Sequence, residues 1–512
     1  SGGNISGSGS VAIHGNSAAV TLSGANTYTG GTNIGTASTL ILTGTLASTG
    51  SVTIGSAGTF DISSMAGASL QMGSLSGAGT VNLGGKTLIA SSAGTYTGNI
   101  TGSSGGQLQK TGTGVLTLTG MNTYTGGTSV TGGTLALSGS ATLLATAPVT
   151  VGSGATFDIS GLSAASLQIG DLSGSGTCNI GAVELIFGTA NTESFTGSIT
   201  GVGGFIQKVG SGMQTLGVGN TYSGGTIFTD GILAVQDDSS LGAAAGSLTF
   251  NGGSLQANGF VITNRPVTVN ATAHDSVIDT KNQSVSIFGP ITGTGNLTKN
   301  GTGILAIPSN SSGYTGTLTV NAGTLNVNGH LGGAVNIALG AILTGNATVG
   351  SITSAGVISP GNSVGTIQVN GNLVLTPSSV LNIEITPTTN DLINVTGSAF
   401  ISGALNLVFD AANYPQSAEY IILQAPTVSG AFSSVTQNIN SVITVLVNPT
   451  NVTVFFGSLN PFGGVALPNL AAVSTATNIT AITVNNQIAN NPDLQTIVGT
   501  LSGQSEDIIS GA

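Results

Sequence analysis

A long internal echo constrains this chain more than any other feature. The run Asn122-Thr-Tyr-Thr-Gly-Gly-Thr128 recurs as Asn26-Thr-Tyr-Thr-Gly-Gly-Thr32 and as Asn220-Thr-Tyr-Ser-Gly-Gly-Thr226, at offsets of 122 − 26 = 96 and 220 − 122 = 98. Between these marks, residues 60–84 align without gaps to residues 157–181, with 16 of 25 identical. Self-similarity at a fixed period means stacked supersecondary units, each too small to bury its own apolar face. A period of about 97 is too long for one such unit. Division by four gives coils of roughly 24 residues, within the solenoid range.

The apolar residues come as short alternating strings bounded by Gly, Asn or Ser: Val115-Leu-Thr-Leu118, Thr134-Leu-Ala-Leu137, Ala182-Val-Glu-Leu-Ile-Phe187, Leu325-Asn-Val327. Period-two patterning with frequent turn residues predicts many short strands. The fold class expected is therefore all-β, a β-solenoid whose backbone hydrogen bonds run from coil to coil around one apolar interior. Gly and Asn tolerate the left-handed backbone of sharp corners, which makes Asn26, Asn122 and Asn220 candidate corner residues. A second echo, Pro148-Val-Thr-Val151 to Pro266-Val-Thr-Val269, has an offset of 266 − 148 = 118. Its excess of 21 over 97 reads as one inserted coil near residues 242–259.

Charge narrows the partners. The chain has 6 basic and 17 acidic residues among 512, a net charge of −11. Phosphate binding needs clustered Lys and Arg, so nucleic acid is excluded as a partner. No apolar run is long enough to span a membrane as a helix. The single cysteine, Cys178, aligns with Val81 (178 − 97 = 81) and is expected to be a small buried hydrophobe.

Residues 359–375 change character, and longer apolar strands follow at 380–385, 401–409, 420–423, 443–447 and 452–456. Here the chain resembles a known family. The Asn-Thr-Tyr-Thr-Gly-Gly-Thr repeats look like the passenger-associated β-strand repeats of bacterial autotransporters (type V secretion). Ser359-Pro-Gly-Asn-Ser363 with Gly365-Thr-Ile-Gln-Val369, and Tyr420-Ile-Ile-Leu-Gln424 with Val428-Ser-Gly-Ala-Phe-Ser-Ser-Val435, are similar to signatures near the end of those passengers. The resemblance covers roughly residues 20–460. It implies a right-handed parallel β-helix, with repeats over 1–358 and a cap or autochaperone-like segment over 359–460 that folds first. It also implies a linker over 461–512 leading to an outer-membrane β-barrel beyond this chain, and a place on the cell surface or outside the cell. Within that linker, Asn491-Pro-Asp493 suits a helix start, and Leu494, Ile497, Val498 and Leu501 fall at helical spacing. Asn485-Asn486 and Asn490-Asn491 match the paired Asn at which some autotransporters release their passengers.

Chemistry-bearing motifs are sparse. Gly361-Asn-Ser363-Val-Gly365 and Gly102-Ser-Ser104-Gly-Gly106 fit Gly-x-Ser-x-Gly, but neither reads as the strand-to-helix turn that a nucleophile elbow needs. His14, His274 and His330 lack metal-ligand spacing, and His274-Asp275 has no partner serine. Arg265 is the only arginine. Asp61 and Asp158 alternate with Phe and Ile and are expected outward. Lys110, Lys208 and Lys299 precede Gly-x-Gly turns at one repeat position. His14 aligns with Lys110 at an offset of 96, and that position is expected to point outward as a solubilising charge or a sparse basic line. No catalytic, cofactor-binding or metal-binding residue is assigned. The functional expectation is a non-enzymatic adhesin or self-associating coat. The alternatives are a stalk presenting an upstream effector module and a carbohydrate-active β-helix enzyme.

Overall fold

The computed structural model describes residues 2–456, apart from 16, 18, 416 and 417, together with the strands Leu470–Ser474, Thr496–Gly499 and Asp507–Ser510. Nearly all regular structure is β, and among the described residues the one helical element is a single 3-10 turn, Asp238–Leu241. The chain forms two compact units, residues 1–259 and 260–512. Each is a parallel β-solenoid.

In the first unit the chain winds through three walls. One wall runs from Val11–Ile13 through Thr32–Ile34, Val52–Ile54, Leu75–Gly77, Gly94–Tyr96, Val115–Leu118, Thr134–Gly139, Thr156–Leu162 and Thr177–Asn179 to Ser198–Thr200. Next in chain order is a second wall, with five strands from Ala19–Leu22 to Asn99–Thr101 and five more from Ser166–Gln168 to Ser247–Phe250. The third wall runs from Ser69–Met72 to Ser254–Ala257. Within each wall, successive strands pair in parallel. On the first wall Leu135 pairs with Phe157, Phe157 with Cys178 and Cys178 with Ile199, at offsets of 157 − 135 = 22, 178 − 157 = 21 and 199 − 178 = 21.

The coil is thus shorter than division by four suggests, and the echo of 97 is not a whole number of coils. From Val11–Ile13 on the first wall, four coils lead to Gly94–Tyr96 on the same wall. Two further walls lead to Gln107–Lys110 on the third. Starting from Gln107–Lys110, four coils reach Glu193–Phe195, and two more walls reach Phe205–Lys208 on the second. The sequence repeat is therefore four and two-thirds coils, and each copy is turned by one wall relative to the last. The marks obey the same rule. The segment after Asn26 stands where a third-wall strand would be, that after Asn122 where a second-wall strand would be, and that after Asn220 where a first-wall strand would be.

Inside, alternation places every second side chain in a dry column. Phe60, Phe157, Phe187, Phe195, Phe228 and Cys178 are fully buried. Cys178 stacks between Phe157 and Ile199, and Val81 occupies the corresponding place one repeat earlier. Phe228 and Phe250, on consecutive coils, stack with ring centroids 4.5 Å apart.

The second unit keeps parallel coils but varies their length. On the wall from Val261–Thr263 to Ser434–Gln437, Leu343 pairs with Ile358 at an offset of 358 − 343 = 15, whereas Leu405 pairs with Val435 at 435 − 405 = 30. On another wall the parallel stack ends at Glu419–Gln424. That strand pairs antiparallel with Asn451–Phe456, which pairs antiparallel with Ile443–Val447, and Leu470–Ser474 adds a further antiparallel strand. Phe409, Tyr414, Tyr420 and Phe456 cluster at this closure, Tyr414 stacking on Phe456 at 4.9 Å. The antiparallel turn-back converts an open edge, a template for unwanted pairing, into a paired one.

The C-terminal helix expected from Leu494, Ile497, Val498 and Leu501 is not formed over its central residues. Thr496–Gly499 pairs antiparallel with Asp507–Ser510. Thr496, Ile497 and Val498 are β-branched and prefer extended backbone, and Gly499 weakens a helix interior. Asn491-Pro-Asp493, Leu494, Leu501 and the paired Asn at 485–486 and 490–491 lie outside the described residues.

Candidate interaction surface and the internal corners

The repeated marks are corners built around a buried asparagine. The Oδ1 of Asn122 accepts from the backbone N–H of Ile100 at 3.2 Å, and its Nδ2 donates to the carbonyls of Gly120 and Thr142 at 2.9 and 3.1 Å. Asn26 does the same with Ile5, Gly24 and Thr45, and Asn220 with Ile199, Gly217 and Ser240. One amide thus reaches backbone groups of three consecutive coils, giving the N–H of the preceding coil its acceptor and adding a donor to two carbonyls. Two residues on, the buried tyrosine closes a ring with the threonine four residues later: Tyr28 to Thr32 at 2.6 Å, Tyr124 to Thr128 and Tyr222 to Thr226 at 2.7 Å. The motif is thus explained by its hydrogen bonds. Asn122, Tyr124 and Thr128 are buried, while Thr123 and Thr125 between them face solvent.

The three repeat lysines overturn the outward expectation. Lys110, Lys208 and Lys299 are 0 %, 2 % and 0 % exposed. The Lys110 ammonium donates to the carbonyls of Thr111, Gly112 and Gly132. Lys208 donates to Val209, Gly210 and Asp230 carbonyls, and Lys299 to those of Asn300, Gly301 and Ala322 and to the Thr280 hydroxyl. Gly112, Gly210 and Gly301 all have left-handed backbone, with φ of +65°, +69° and +80°. That conformation turns two successive carbonyls inward, and the ammonium neutralises them. Burial pushes the Lys208 and Lys299 ammoniums down to about 8, against nearby carboxylates that favour the charged form. Lys110 is shifted down by burial as well.

The difference is one of register. In Leu108-Gln-Lys110 the lysine shares parity with buried Leu108, so alternation alone places it inside. Its partner in the first copy is buried Ile13, at an offset of 110 − 13 = 97. His14 lies one residue further on and is exposed.

The other singled-out residues are local. Asp61 and Asp158 face outward as expected, half-buried, and cap their own turns by accepting from the N–H of Ser63 at 2.8 Å and Ser160 at 2.9 Å. Ser363 and Ser104 are exposed turn residues, and Ser104 has φ of +58°. His274 is exposed, and Asp275 accepts from Asn296 Nδ2 at 3.2 Å. His330 is half-buried in His330–Leu331. Arg265 is buried at 1 % exposed. Among the described residues no group of three or more His, Cys, Asp or Glu lies close enough to hold a metal ion. No helix of the described chain is long and apolar enough to cross a membrane.

Burying four of the six basic residues changes the outer surface. Only Lys86 and Lys281 remain outside. The walls instead present short polar side chains in columns at the coil spacing of about 4.8 Å. On the first wall the outward column is Ala12, Asn33, Thr53, Ser76, Thr95, Thr117 and Ala136. Thr53 and Ser76 share a hydrogen bond of 2.9 Å. On the third wall Thr150 and Ser173 do the same. In the second unit Asn382, Asn406 and Thr436 form a side-chain ladder with contacts of 3.1 and 2.9 Å.

Comparison with known proteins agrees with this architecture. Residues 16–37, 108–137, 206–235 and 297–327 match the Passenger-associated-transport-repeat family, and each of the last three stretches contains one of the buried lysines. The chain is 34 % identical over 221 residues to the adhesin BmaC autotransporter of Brucella suis biovar 1 (strain 1330), covering 43 % of this chain and 6 % of that protein. It is 36 % identical over 97 residues to an extracellular serine protease of Serratia marcescens, covering 19 % of this chain and 9 % of that protein. The chain therefore spans a small part of either relative. It carries the passenger repeats of autotransporters, folded as a parallel β-solenoid.

Proposed function

We propose that this chain is an adhesive, self-associating segment of a surface-displayed autotransporter passenger, without enzymatic activity. The observation that carries the reading is the outer surface: columns of Ser, Thr and Asn whose basic counterparts are sequestered in the corners. Each new hydrogen bond to such a face nets only about 1 kcal/mol. A partner lying along the coils repeats the contact many times and gains avidity. The likeness to an adhesin supports this reading, as does the passenger repeat. The passenger repeat also supports a C-terminal outer-membrane β-barrel as its translocation partner and a place at the cell surface. Displaying the chain on an otherwise non-aggregating bacterium tests it. Settling cells and attachment to a neighbouring surface are expected; dispersed cells with no attachment would overturn the proposal.

A second reading has its own support. Alignment to 6 % of a much longer adhesin suits a stalk that holds another module outward. In either case we propose that residues 359–456 act as the folding template. The support is the antiparallel closure, the aromatic cluster and buried Asp391. Asp391 Oδ1 accepts from Gly365 N–H and Oδ2 from Glu384 N–H, both at 2.7 Å, tying the Ser359–Ser363 turn region to the next coil.

A further inference from the structure

Exposed apolar side chains are gathered at one place in the second unit. Phe260, Ile262, Phe288 and Ile304 are 68 %, 63 %, 48 % and 42 % exposed. They stand on, or one residue beyond the ends of, three successive strands of one wall: Val261–Thr263, Ser284–Ile287 and Ile304–Ile307. Alternation turns them outward, because Val261, Val285, Ile287, Leu305 and Ile307 fill the interior. Register brings them together. Ile262 pairs with Ser286, which pairs with Ala306, and Ser284 pairs with Ile304. Phe260 and Phe288 adjoin the paired stretches, Phe260 just before Val261 and Phe288 just after Ile287. The other exposed large apolar residues of this unit, Leu339, Phe400, Val408 and Val442, lie on other strands or turns. Together the four present on the order of 400 Å² of apolar surface, taking about 200 Å² for a whole side chain. A contiguous patch of that size is a mark of an interaction site, which a single exposed residue is not.

We infer that this platform docks on a lipid bilayer with zwitterionic headgroups, its four apolar side chains entering the boundary between headgroups and acyl chains. The inference rests on the adhesive reading above and names one surface to which the chain attaches. Area argues for a membrane over a protein partner. The patch is about half of the roughly 800 Å² that each partner buries in a stable protein complex. A bilayer sets no such threshold, because binding to it scales with the apolar area inserted. Polar groups argue for a bilayer over a bare hydrocarbon phase. Ser284 and Ser286 are half-buried among the apolar side chains, and Asn264 beside them is exposed. A phase without polar groups would strip their water and return no hydrogen bond, whereas headgroups and interfacial water replace it. Charge selects the lipid. Residues 260–264, 284–288 and 304–308 contain no charged side chain, Arg265 is buried, and the nearest exposed charge along the chain is Lys281. A chain of net charge −11 is repelled by an anionic membrane and not by a zwitterionic one.

The chain has no tryptophan, so one introduced indole reports its own surroundings. Phe260→Trp in the whole chain, mixed with phosphatidylcholine vesicles, should shift its emission to shorter wavelength and be quenched by brominated acyl chains. Val115→Trp, at an exposed apolar position of the first unit, should do neither. Wild type should co-sediment with the same vesicles, and more weakly with vesicles containing phosphatidylserine. Phe260→Ser with Phe288→Ser should weaken that binding at least tenfold and leave the urea midpoint unchanged, since both side chains are exposed. A wild type that ignores phosphatidylcholine, an equal shift at Val115→Trp, or undiminished binding after both Phe→Ser changes would overturn the platform. Tighter binding to the anionic vesicles would overturn the choice of lipid. The adhesive reading fails separately, on displayed cells that neither settle nor attach. Cells that settle and attach while the purified chain ignores vesicles would overturn the lipid inference alone.

Discussion

The side-chain oxygen of Asn122 accepts the backbone N–H of Ile100, one coil earlier. The same amide then bonds the carbonyl of Thr142 in the following coil. Replacing Asn122 by Ala removes the side-chain partner of one buried donor and two carbonyls, although the Thr142 carbonyl keeps the backbone N–H of residue 122 and the Gly120 carbonyl keeps that of Thr142. Orphaned buried groups cost about 1–3 kcal/mol each, less where water reaches them. Asn122→Ala should lower stability by about 1–3 kcal/mol in urea unfolding. Asn122→Asp should cost at least as much at neutral pH, where a carboxylate would face those carbonyls, and less in acid, where the protonated form can donate.

The lysine corners make a prediction with a definite sign. The Lys208 and Lys299 ammoniums ionise near 8 in the folded chain and at 10.5 when unfolded. The folded state therefore gives up these protons first, and the charged form costs stability below pH 8. Stability should rise between pH 8 and 10.5 as that cost is relieved. Lys208→Met should flatten part of the rise in urea midpoints. At neutral pH the same variant should still be destabilised by about 1–3 kcal/mol, because its carbonyl acceptors lose their donor.

Asp391 works in the opposite part of the scale. Burial pushes its carboxyl up to about 6 from 3.8, opposed by the two backbone amides that hold it. A raised carboxyl binds its proton more tightly folded than unfolded. Its contribution is greatest below 3.8 and is lost as pH rises through about 6. Unfolding midpoints of the wild-type chain should show this fall, and Asp391→Asn should remove it.

Burial pushes the Cys178 thiol up to about 12, with the Asp158 charge adding to the effect. Since the thiolate is the nucleophile, a thiol reagent in mildly alkaline buffer should label Cys178 only on unfolding. Rapid labelling of the folded chain would show that the interior opens at that coil.

At the closure, Tyr414 stacks on Phe456, and its hydroxyl donates to the Ile385 carbonyl at 2.6 Å. Tyr414→Ala should cost about 1–3 kcal/mol and should slow refolding of the coils before it. Unchanged refolding rates would remove the templating role proposed for residues 359–456.

Much of this is legible in the chain itself, for reasons that differ from residue to residue. Alternation in Val115-Leu-Thr-Leu118 gives the strand, and the identity of residues 60–84 with 157–181 gives the stacking. The place of Cys178 follows from Val81. Coil length does not follow, because dividing 97 by four assumes that a repeat returns to its starting wall. The lysines are misplaced whenever charge is allowed to outweigh parity, although Leu108 and Lys110 must share a side. Asn26, Asn122 and Asn220 read as corners, but their reach to three coils depends on neighbours one coil before and one coil after, which only the fold brings together. Helical spacing at Leu494–Leu501 is overridden over Thr496–Gly499, where a β-branched run forms a strand.

A repeat that advances by four and two-thirds coils does not return to the wall on which it began. Copying or losing one such repeat inside the first compact unit would rotate the coils that follow it there by a third of a revolution, yet every strand would still find a parallel neighbour. Gain or loss of one repeat there would keep the parallel pairing and re-aim the surface that follows within that unit.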